Sequence, residues 1–133
     1  GNTQLYGISS TSTLIAKAAR RTSVTVEKIV SSEEIRRTSY ATIIPGFLVE
    51  AVVEAPHGAH PAGMFGYYDY DTEDIDPYVY ASRSPEGAVE YLHEYVIGTK
   101  NEEEYLAKIG LARLLELRAD PHFGYSLRAR GEL

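Results

Sequence analysis

The residue types most able to do chemistry lie in one stretch near the middle of the chain. His57 and His60 stand three residues apart, between Pro56 and Pro61. Two histidines at that spacing on a helix could bind a metal ion together with a carboxylate. Proline on both sides argues against a helix, and no spacing picks out a third ligand. The sequence therefore predicts no metal site, and it leaves these histidines two roles: hydrogen bonding within a loop, or contact with a substrate.

Tyrosines are concentrated in the same region. Five of the eleven tyrosines fall within fourteen residues: Tyr67, Tyr68, Tyr70, Tyr78 and Tyr80. Because tyrosine combines an apolar ring with a polar hydroxyl, such a cluster suits an interface, a wet cleft or a loop that seals a core with its rings. We predict that His60 and Tyr68 contact a substrate, and packing within the loop is the alternative for each.

An acidic stretch follows, and it begins like a calcium-binding loop. Residues 69–73 hold three carboxylates, but the sixth position is Asp74 instead of glycine and the twelfth is Tyr80 instead of glutamate. A solvated acidic loop before a helix explains the stretch better. The chain has no cysteine, no glycine-rich phosphate loop and no serine in a nucleophile elbow. The residues alone therefore indicate no catalytic group.

Charge is unevenly spread along the 133 residues, whose formal net charge is −6. Residues 61–112 hold three basic and eleven acidic side chains, a net charge of −8, whereas each flank is close to neutral. An acidic centre argues against binding of nucleic acid, which needs a clustered basic face. No apolar run approaches the ~20 residues of a membrane span, and no secretion signal is evident. We expect a cytoplasmic protein that binds neither nucleic acid nor membrane.

The elements that must position these side chains alternate between helix and strand over the first half of the chain. Capping residues and apolar periodicity predict helices at residues 11–21 and 31–38, and strands at residues 24–30, 41–44 and 47–55. In the last strand, alternation of apolar residues predicts one buried face, formed by Val49, Ala51, Val53 and Ala55. Residues 56–77, rich in proline, glycine and carboxylates, are predicted to form a long loop, which is usually functional or interfacial.

The second half reads as helical. Ser84, Pro85 and Glu86 are typical of a helix start, and Gly98 of its end. Asn101 and Glu104 have the spacing of a second start, for a helix that runs to about residue 118. We predict one domain over residues 1–118 and a polar tail over residues 119–133. The few strands and helices predicted here can cover only one face of a sheet well. A partner segment that covers the other face is therefore expected to be missing.

Four segments together resemble a known family. They are residues 1–7 (GNTQLYG), 24–30 (VTVEKIV), 45–61 (PGFLVEAVVEAPHGAHP) and 66–71 (GYYDYD). In this order they are similar to the C-terminal half of the α subunit of the family I CoA-transferases, of the glutaconate and 3-oxoacid type. The resemblance covers roughly residues 1–110, and residues 45–61 are its most specific part.

The resemblance implies a fold, a reaction and partners. The fold would be the C-terminal part of an open, mainly parallel α/β sheet with flanking helices, completed by the N-terminal half of the α subunit. The reaction would move CoA from an acyl-CoA to a carboxylic acid by a ping-pong route, through a thioester on a glutamate of the partner, the CoA-transferase β subunit. Coenzyme A would be a substrate, with no further cofactor. None of the fourteen glutamates here matches that nucleophile, so no catalytic residue is transferred to this chain.

Two alternatives remain open. A branch of the same family lacks the nucleophilic glutamate and opens carbocyclic rings of CoA esters by hydrolysis. The other alternative is a non-catalytic piece whose role is the assembly of subunits. A co-purifying β subunit with the glutamate favours the transferase, one without it favours the hydrolase, and no such partner favours assembly alone.

Overall fold

The computed structural model describes residues 1–7 and 11–127. The chain divides into two compact units, Gly1–Gly58 and Ala59–Leu133, here called unit 1 and unit 2. The described part of unit 1 holds all the strands, and that of unit 2 is helical. Together they confirm the predicted α/β class with a small, incomplete sheet.

Unit 1 alternates short strands and helices. In chain order they are β1 (Thr3–Gln4), α1 (Ser12–Ala18), β2 (Ser23–Val26), α2 (Ser32–Arg37), β3 (Thr42–Ile44) and β4 (Ala51–Glu54). Strands β2 and β4 pair in parallel, with Ser23 opposite Ala51 and Val26 opposite Glu54. Strands β1 and β3 pair antiparallel. The predicted cap of α2 is confirmed, because the Ser31 side chain accepts a hydrogen bond from the backbone of Glu34 at 3.1 Å.

Polar side chains near the start of the chain tie unit 1 together. The Gln4 amide donates to the carbonyl oxygens of Ile35 at 2.9 Å and Thr38 at 2.8 Å, which satisfies the end of α2. Asn2 accepts a hydrogen bond from the backbone of Gly46 at 2.7 Å. A side chain at position 46 would lie 3.0 Å from the backbone nitrogen of Asn2, so any larger residue would crowd this approach.

The strand predicted over residues 47–55 is partly wrong. A 3₁₀ turn (Gly46–Leu48) takes its first part, and β4 is only four residues long. All four residues of β4 are exposed, so the predicted buried face is wrong too. Alternation along a strand identifies a face suited to burial, but in the described chain no layer covers that face of β4. Large apolar side chains elsewhere in unit 1 are exposed as well: Leu14, Ile15 and Phe47.

Unit 2 contains four α-helices in its described residues: α3 (Thr72–Ala81), α4 (Pro85–Leu92), α5 (Glu102–Ile109) and α6 (Leu111–Leu117). The predicted starts of α4 and α5 are confirmed. Ser84 accepts a hydrogen bond from Gly87 at 3.0 Å, and Asn101 accepts one from Glu104 at 2.9 Å. A π-helical turn (His93–Ile97) continues α4 as far as Gly98, the predicted end.

One loop prediction and one helix prediction are partly wrong in unit 2. The loop predicted over residues 56–77 ends early, because Asp71 caps α3 and the helix continues through Pro77. Proline inside a helix loses its N–H hydrogen bond and its ring crowds the carbonyl group four residues back, so Pro77 weakens α3 without ending it. The helix predicted to run from residue 101 to about 118 breaks at Gly110, whose φ of 91° is open mainly to glycine. None of the helices of residues 1–7 and 11–127 is long and apolar enough to cross a membrane.

The described part of the predicted tail packs onto unit 2. Ala119 and Ser126 are buried, and the backbone of Ala119 donates to the Tyr67 carbonyl oxygen at 2.9 Å. The rings of Phe123 and Tyr125 meet edge to face. Residues 128–133 lie outside the described residues, and the domain boundary after residue 118 stays a prediction.

Candidate functional site

The histidine- and tyrosine-containing segment forms a loop whose two ends are hydrogen-bonded to each other. The backbone of Asp71 donates to the Pro61 carbonyl oxygen at 2.8 Å, and His60 Nε2 lies 3.3 Å from Asp71 Oδ2. The peptide bond between His60 and Pro61 is cis. We call residues 61–70 the aromatic loop. Because both its ends meet at Asp71, the loop is held at its base by buried polar contacts.

Tyr68 fills the inside of the aromatic loop. Its side chain is buried, and its hydroxyl accepts a hydrogen bond from the backbone of Ala59 at 3.0 Å. Its backbone bridges to Met64 on one side and to Arg118 on the other. A side chain at position 63 would lie 2.9 Å from the backbone nitrogen of Tyr70, so the loop also needs glycine there. The loop is therefore packed around Tyr68 rather than open.

A buried network of charged and polar side chains lies under the loop. Asp71 is almost fully buried and accepts two hydrogen bonds from Arg113, one from Nε at 2.9 Å and one from Nη2. Arg113 also approaches Glu73 at 3.0 Å and Glu116 at 3.1 Å. His60 Nδ1 lies 2.6 Å from the Tyr105 hydroxyl. The network joins the aromatic loop to α3, α5 and α6.

The electrostatics of Asp71 fix its ionisation and the tautomer of His60. Burial would raise the pKa of Asp71, but hydrogen bonds from Arg113 and His60 outweigh it and lower the pKa to about 2. Since an ionised carboxylate only accepts hydrogen bonds, the proton between the two residues resides on His60 Nε2. In the neutral ring, Nδ1 then accepts from Tyr105. The Asp71 hydrogen bond in turn raises the pKa of Arg113.

The pKa of two further groups at this site is raised. Burial and the nearby charge of Asp74 raise the pKa of Tyr105 to about 12. Burial raises the pKa of Asp74 itself, and the carboxylate of Asp71 adds to that shift. Asp74 Oδ2 lies 3.8 Å from His60 Nδ1 and has no hydrogen-bond partner among the described residues. The buried charge pair of Asp71 with Arg113 therefore lies beside two groups, Tyr105 and Asp74, whose pKa is raised.

Three of these side chains have the types and spacing of metal ligands. One ligand atom each from His60, Asp71 and Asp74 lies within 4.8 Å of the others. However, Arg113 occupies both oxygens of Asp71, and its cation would repel a metal ion placed between them. We assign no metal to this cluster, and His57 is not part of it.

The aromatic loop presents rings on its outer side. Tyr67, Tyr70 and Phe65 are exposed, in contrast to Tyr68. An open cavity of about 500 Å³ lies beside them and is lined on its far side by Phe123 and Tyr125. Chemically, this surface can stack on flat or cationic groups and can donate hydrogen bonds from phenol hydroxyls.

The two residues predicted to contact a substrate, His60 and Tyr68, both lie in this site but beneath its surface. Substrate contact by either residue stays a prediction. Sequence reasoning missed Arg113 and Tyr105 as their partners, because neither residue stands in a recognisable motif. The sequence around Asp71 did contain a helix-start pattern. Aspartate is a favourable N-cap, and the acidic residues Glu73 and Asp74 follow it in the first turn.

Comparison with known proteins relates the chain to CoA-transferase subunits. The chain is 41% identical over 127 residues to the α subunit of glutaconate CoA-transferase of Acidaminococcus fermentans, a match that takes in 96% of this chain and 40% of that protein. The crystal structure of glutaconate coenzyme A-transferase from the same organism superimposes with a TM-score of 0.88 at 40% identity, over 99% of this chain and 42% of the other. The chain belongs to the family of CoA-transferase α subunits.

Other relatives match over shorter stretches of the chain. The α subunit of 3-oxoadipate CoA-transferase of Pseudomonas knackmussii is 34% identical over 82% of this chain. The cholesterol ring-cleaving hydrolase IpdA subunit of Mycobacterium tuberculosis is 33% identical over 72% of it. The chain spans about 40% of the length of the two curated CoA-transferase subunits. No protein-family model matches the chain.

Proposed function

We propose that this chain works as part of the α subunit of a CoA-transferase that moves CoA between an acyl-CoA and a carboxylic acid. The observation that carries this proposal is the agreement of sequence and fold with glutaconate CoA-transferase over nearly the whole chain. The exposed apolar side chains of unit 1 support assembly with further polypeptide, because patches of this kind are usually covered in a complex. The partners would be the β subunit of the CoA-transferase and the remaining part of the α subunit.

The proposed route is ping-pong, with the nucleophile on the β subunit. A glutamate carboxylate of that partner attacks the acyl-CoA thioester and ends as a glutamyl-CoA thioester, while the acyl group leaves as a carboxylate. The second acid then takes the CoA. The described residues of this chain support a positioning role in that scheme. Their buried carboxylate Asp71 has both oxygens hydrogen-bonded to Arg113, so it is not accessible as a nucleophile.

We further propose a cytoplasmic enzyme that uses coenzyme A as a substrate and needs no other cofactor. Nucleic acid and membrane are not among its proposed partners, which agrees with the acidic middle of the chain. For the acid substrates, the names of two relatives, glutaconate CoA-transferase and 3-oxoadipate CoA-transferase, suggest dicarboxylates. These two acids are therefore the acceptors to test first.

The direct experiment uses the chain together with the β subunit that co-purifies with it. The purified complex is incubated with acetyl-CoA and either glutaconate or 3-oxoadipate, and the CoA esters are separated by chromatography. We expect a new CoA ester of the dicarboxylate and release of acetate. The chain without the β subunit should give no ester above background, since it holds no matching nucleophile.

Other outcomes of the same assay decide between the alternatives. Conversion of a carbocyclic CoA ester into a ring-opened CoA ester heavier by one water, with no CoA moved to the added acid, would contradict the transferase and favour the hydrolase, to whose subunit the chain is also similar. No turnover of any CoA ester by a stable complex would favour an assembly role. Turnover by the chain after rigorous removal of the β subunit would contradict placing the nucleophile on the partner.

A second experiment tests the predicted contact of His60 and Tyr68 with substrate. The complex is rebuilt with His60→Ala or Tyr68→Phe, and kcat/KM is measured beside the melting temperature. If these side chains contact the substrate, kcat/KM should fall about tenfold, or ~1.4 kcal/mol of transition-state stabilisation, at an unchanged melting temperature. Full activity, or a loss that only follows unfolding, would limit both residues to holding the aromatic loop.

A further inference from the structure

The open cavity of unit 2 has the composition of a protein interface rather than of a protein surface. Its apolar lining comes from two segments, the aromatic loop and the chain around residues 123–125, and consists of Met64, Phe65, Tyr68, Tyr70, Phe123 and Tyr125. Aromatic residues and methionine are enriched in the central part of interfaces, where they account for most of the binding energy. Four of these side chains are exposed in this structure: Phe65, Tyr70, Phe123 and Tyr125.

The walls of this cavity are fixed by backbone hydrogen bonds. Gly66 donates to the Gly124 carbonyl oxygen at 3.0 Å, and Ser126 donates to the Asp69 carboxylate at 2.7 Å. The ring of Tyr125 packs edge to face on Phe65, with centroids 5.1 Å apart. A side chain at position 124 would clash with the Phe65 ring at 2.6 Å. Because the two segments are already locked together, a partner could bind here without ordering them first.

The charge of the cavity points to a cationic partner. Asp69 is the one charged residue among the described residues that line it. The segment 61–112, which contributes the aromatic loop to this cavity, has a net charge of −8 along the sequence. A cation above tyrosine and phenylalanine rings is attracted by their faces, and a carboxylate beside them adds a charge-assisted hydrogen bond. An anionic partner would meet repulsion at the same place.

We propose that this cavity is a docking site for an arginine-bearing, otherwise apolar segment of the β subunit. Arginine fits better than lysine because its planar guanidinium stacks on aromatic rings and can bind a carboxylate through two N–H groups. The apolar remainder of the segment would cover Phe65, Phe123 and Tyr125. This inference rests on the proposed function, since it requires a β subunit, and it adds where that partner binds and by what chemistry.

The test measures the dissociation constant of the complex between this chain and its co-purifying β subunit. Tyr70→Ala removes the most exposed ring of the cavity, and Asp69→Asn removes the charge but keeps an oxygen for the Ser126 backbone. Each variant should weaken binding about tenfold, which corresponds to ~1.4 kcal/mol. Binding by the wild-type chain should weaken with added salt, and Asp69→Asn should make it less sensitive to salt.

The matched control is Tyr80→Ala, which removes a tyrosine that is more exposed than Tyr70 and lies on α3 outside the cavity. It should leave the dissociation constant unchanged. The proposal is overturned if the cavity variants bind the β subunit like the wild-type chain, or if Asp69→Asn has no effect while Tyr70→Ala weakens binding. CoA transfer by the wild-type complex is measured in parallel: transfer with unaffected cavity variants rejects the docking site alone, whereas no complex and no transfer rejects the proposed function with it.

Discussion

Replacing Asp71 with alanine should lower the free energy of unfolding by about 3–5 kcal/mol, the usual range when one partner of a buried charge pair is removed. The change would leave the Arg113 guanidinium largely buried without its main acceptor. It would also remove the N-cap of α3 and the hydrogen bond to His60 at 3.3 Å. Denaturation by urea, followed by circular dichroism, gives the difference directly.

The matched control is Glu33→Ala. Glu33 also pairs with an arginine, Arg37 at 2.6 Å, but both side chains are more than 70% exposed. Exposed pairs contribute only ~0–1 kcal/mol, so this variant should unfold nearly like the wild type. If Asp71→Ala and Glu33→Ala lowered the free energy of unfolding by similar amounts, the buried pair would not be what stabilises unit 2. Asp71→Asn, which keeps the shape without the charge, should fall between the two.

The pairing of Asp71 with Arg113 also makes the stability of the fold depend on pH. The pKa of Asp71 is about 2 in the folded chain and 3.8 in the reference state, so folding favours the ionised form. Its contribution is therefore complete above about pH 4 and is lost as the pH falls towards 2. In Asp71→Ala this part of the acid-induced loss should be absent.

Local signals in the sequence predicted much of the secondary structure. Ser31, Ser84 and Asn101 each begin a helix and accept the predicted capping hydrogen bond. These motifs work because a serine or asparagine side chain satisfies a donor three residues away, whatever the rest of the fold. Gly98 ends its helix for a similarly local reason.

Features that depend on distant packing were not predictable from the sequence. The partner of Asp71 is Arg113, 42 residues along the chain, and no spacing rule links the two. The exposed face of β4 shows the same limit, because alternation in the sequence cannot reveal which layer covers a strand. The break at Gly110 was missed because a glycine within a helical pattern is often tolerated.

Residues in the segments that resemble the CoA-transferase family make hydrogen bonds that stabilise the fold of this chain. Asn2 and Gln4 secure turns of unit 1, and Tyr68 and Asp71 hold the aromatic loop of unit 2. A resemblance based on such residues identifies the scaffold of the enzyme. The chemistry belongs, in the proposed function, to a glutamate of another chain.

A covalent intermediate on the β subunit is the second large effect that we expect. In the proposed route, CoA is bound to a glutamate of the β subunit once the first half-reaction is complete, and it stays there when no acceptor acid is present. The described residues of this chain offer no counterpart, since the carboxylate most deeply buried in them, Asp71, is paired with Arg113. Essentially all of the covalently bound CoA should therefore be on the β subunit.

Intact-mass spectrometry of both chains tests this most directly. The complex is incubated with acyl-CoA in the absence of a second acid, denatured in acid and analysed at once. We expect the β subunit to gain the mass of CoA less one water and this chain to keep its mass. Adding glutaconate or 3-oxoadipate should remove the adduct. CoA attached to this chain, or transfer of CoA with no adduct on either chain, would contradict the proposed route.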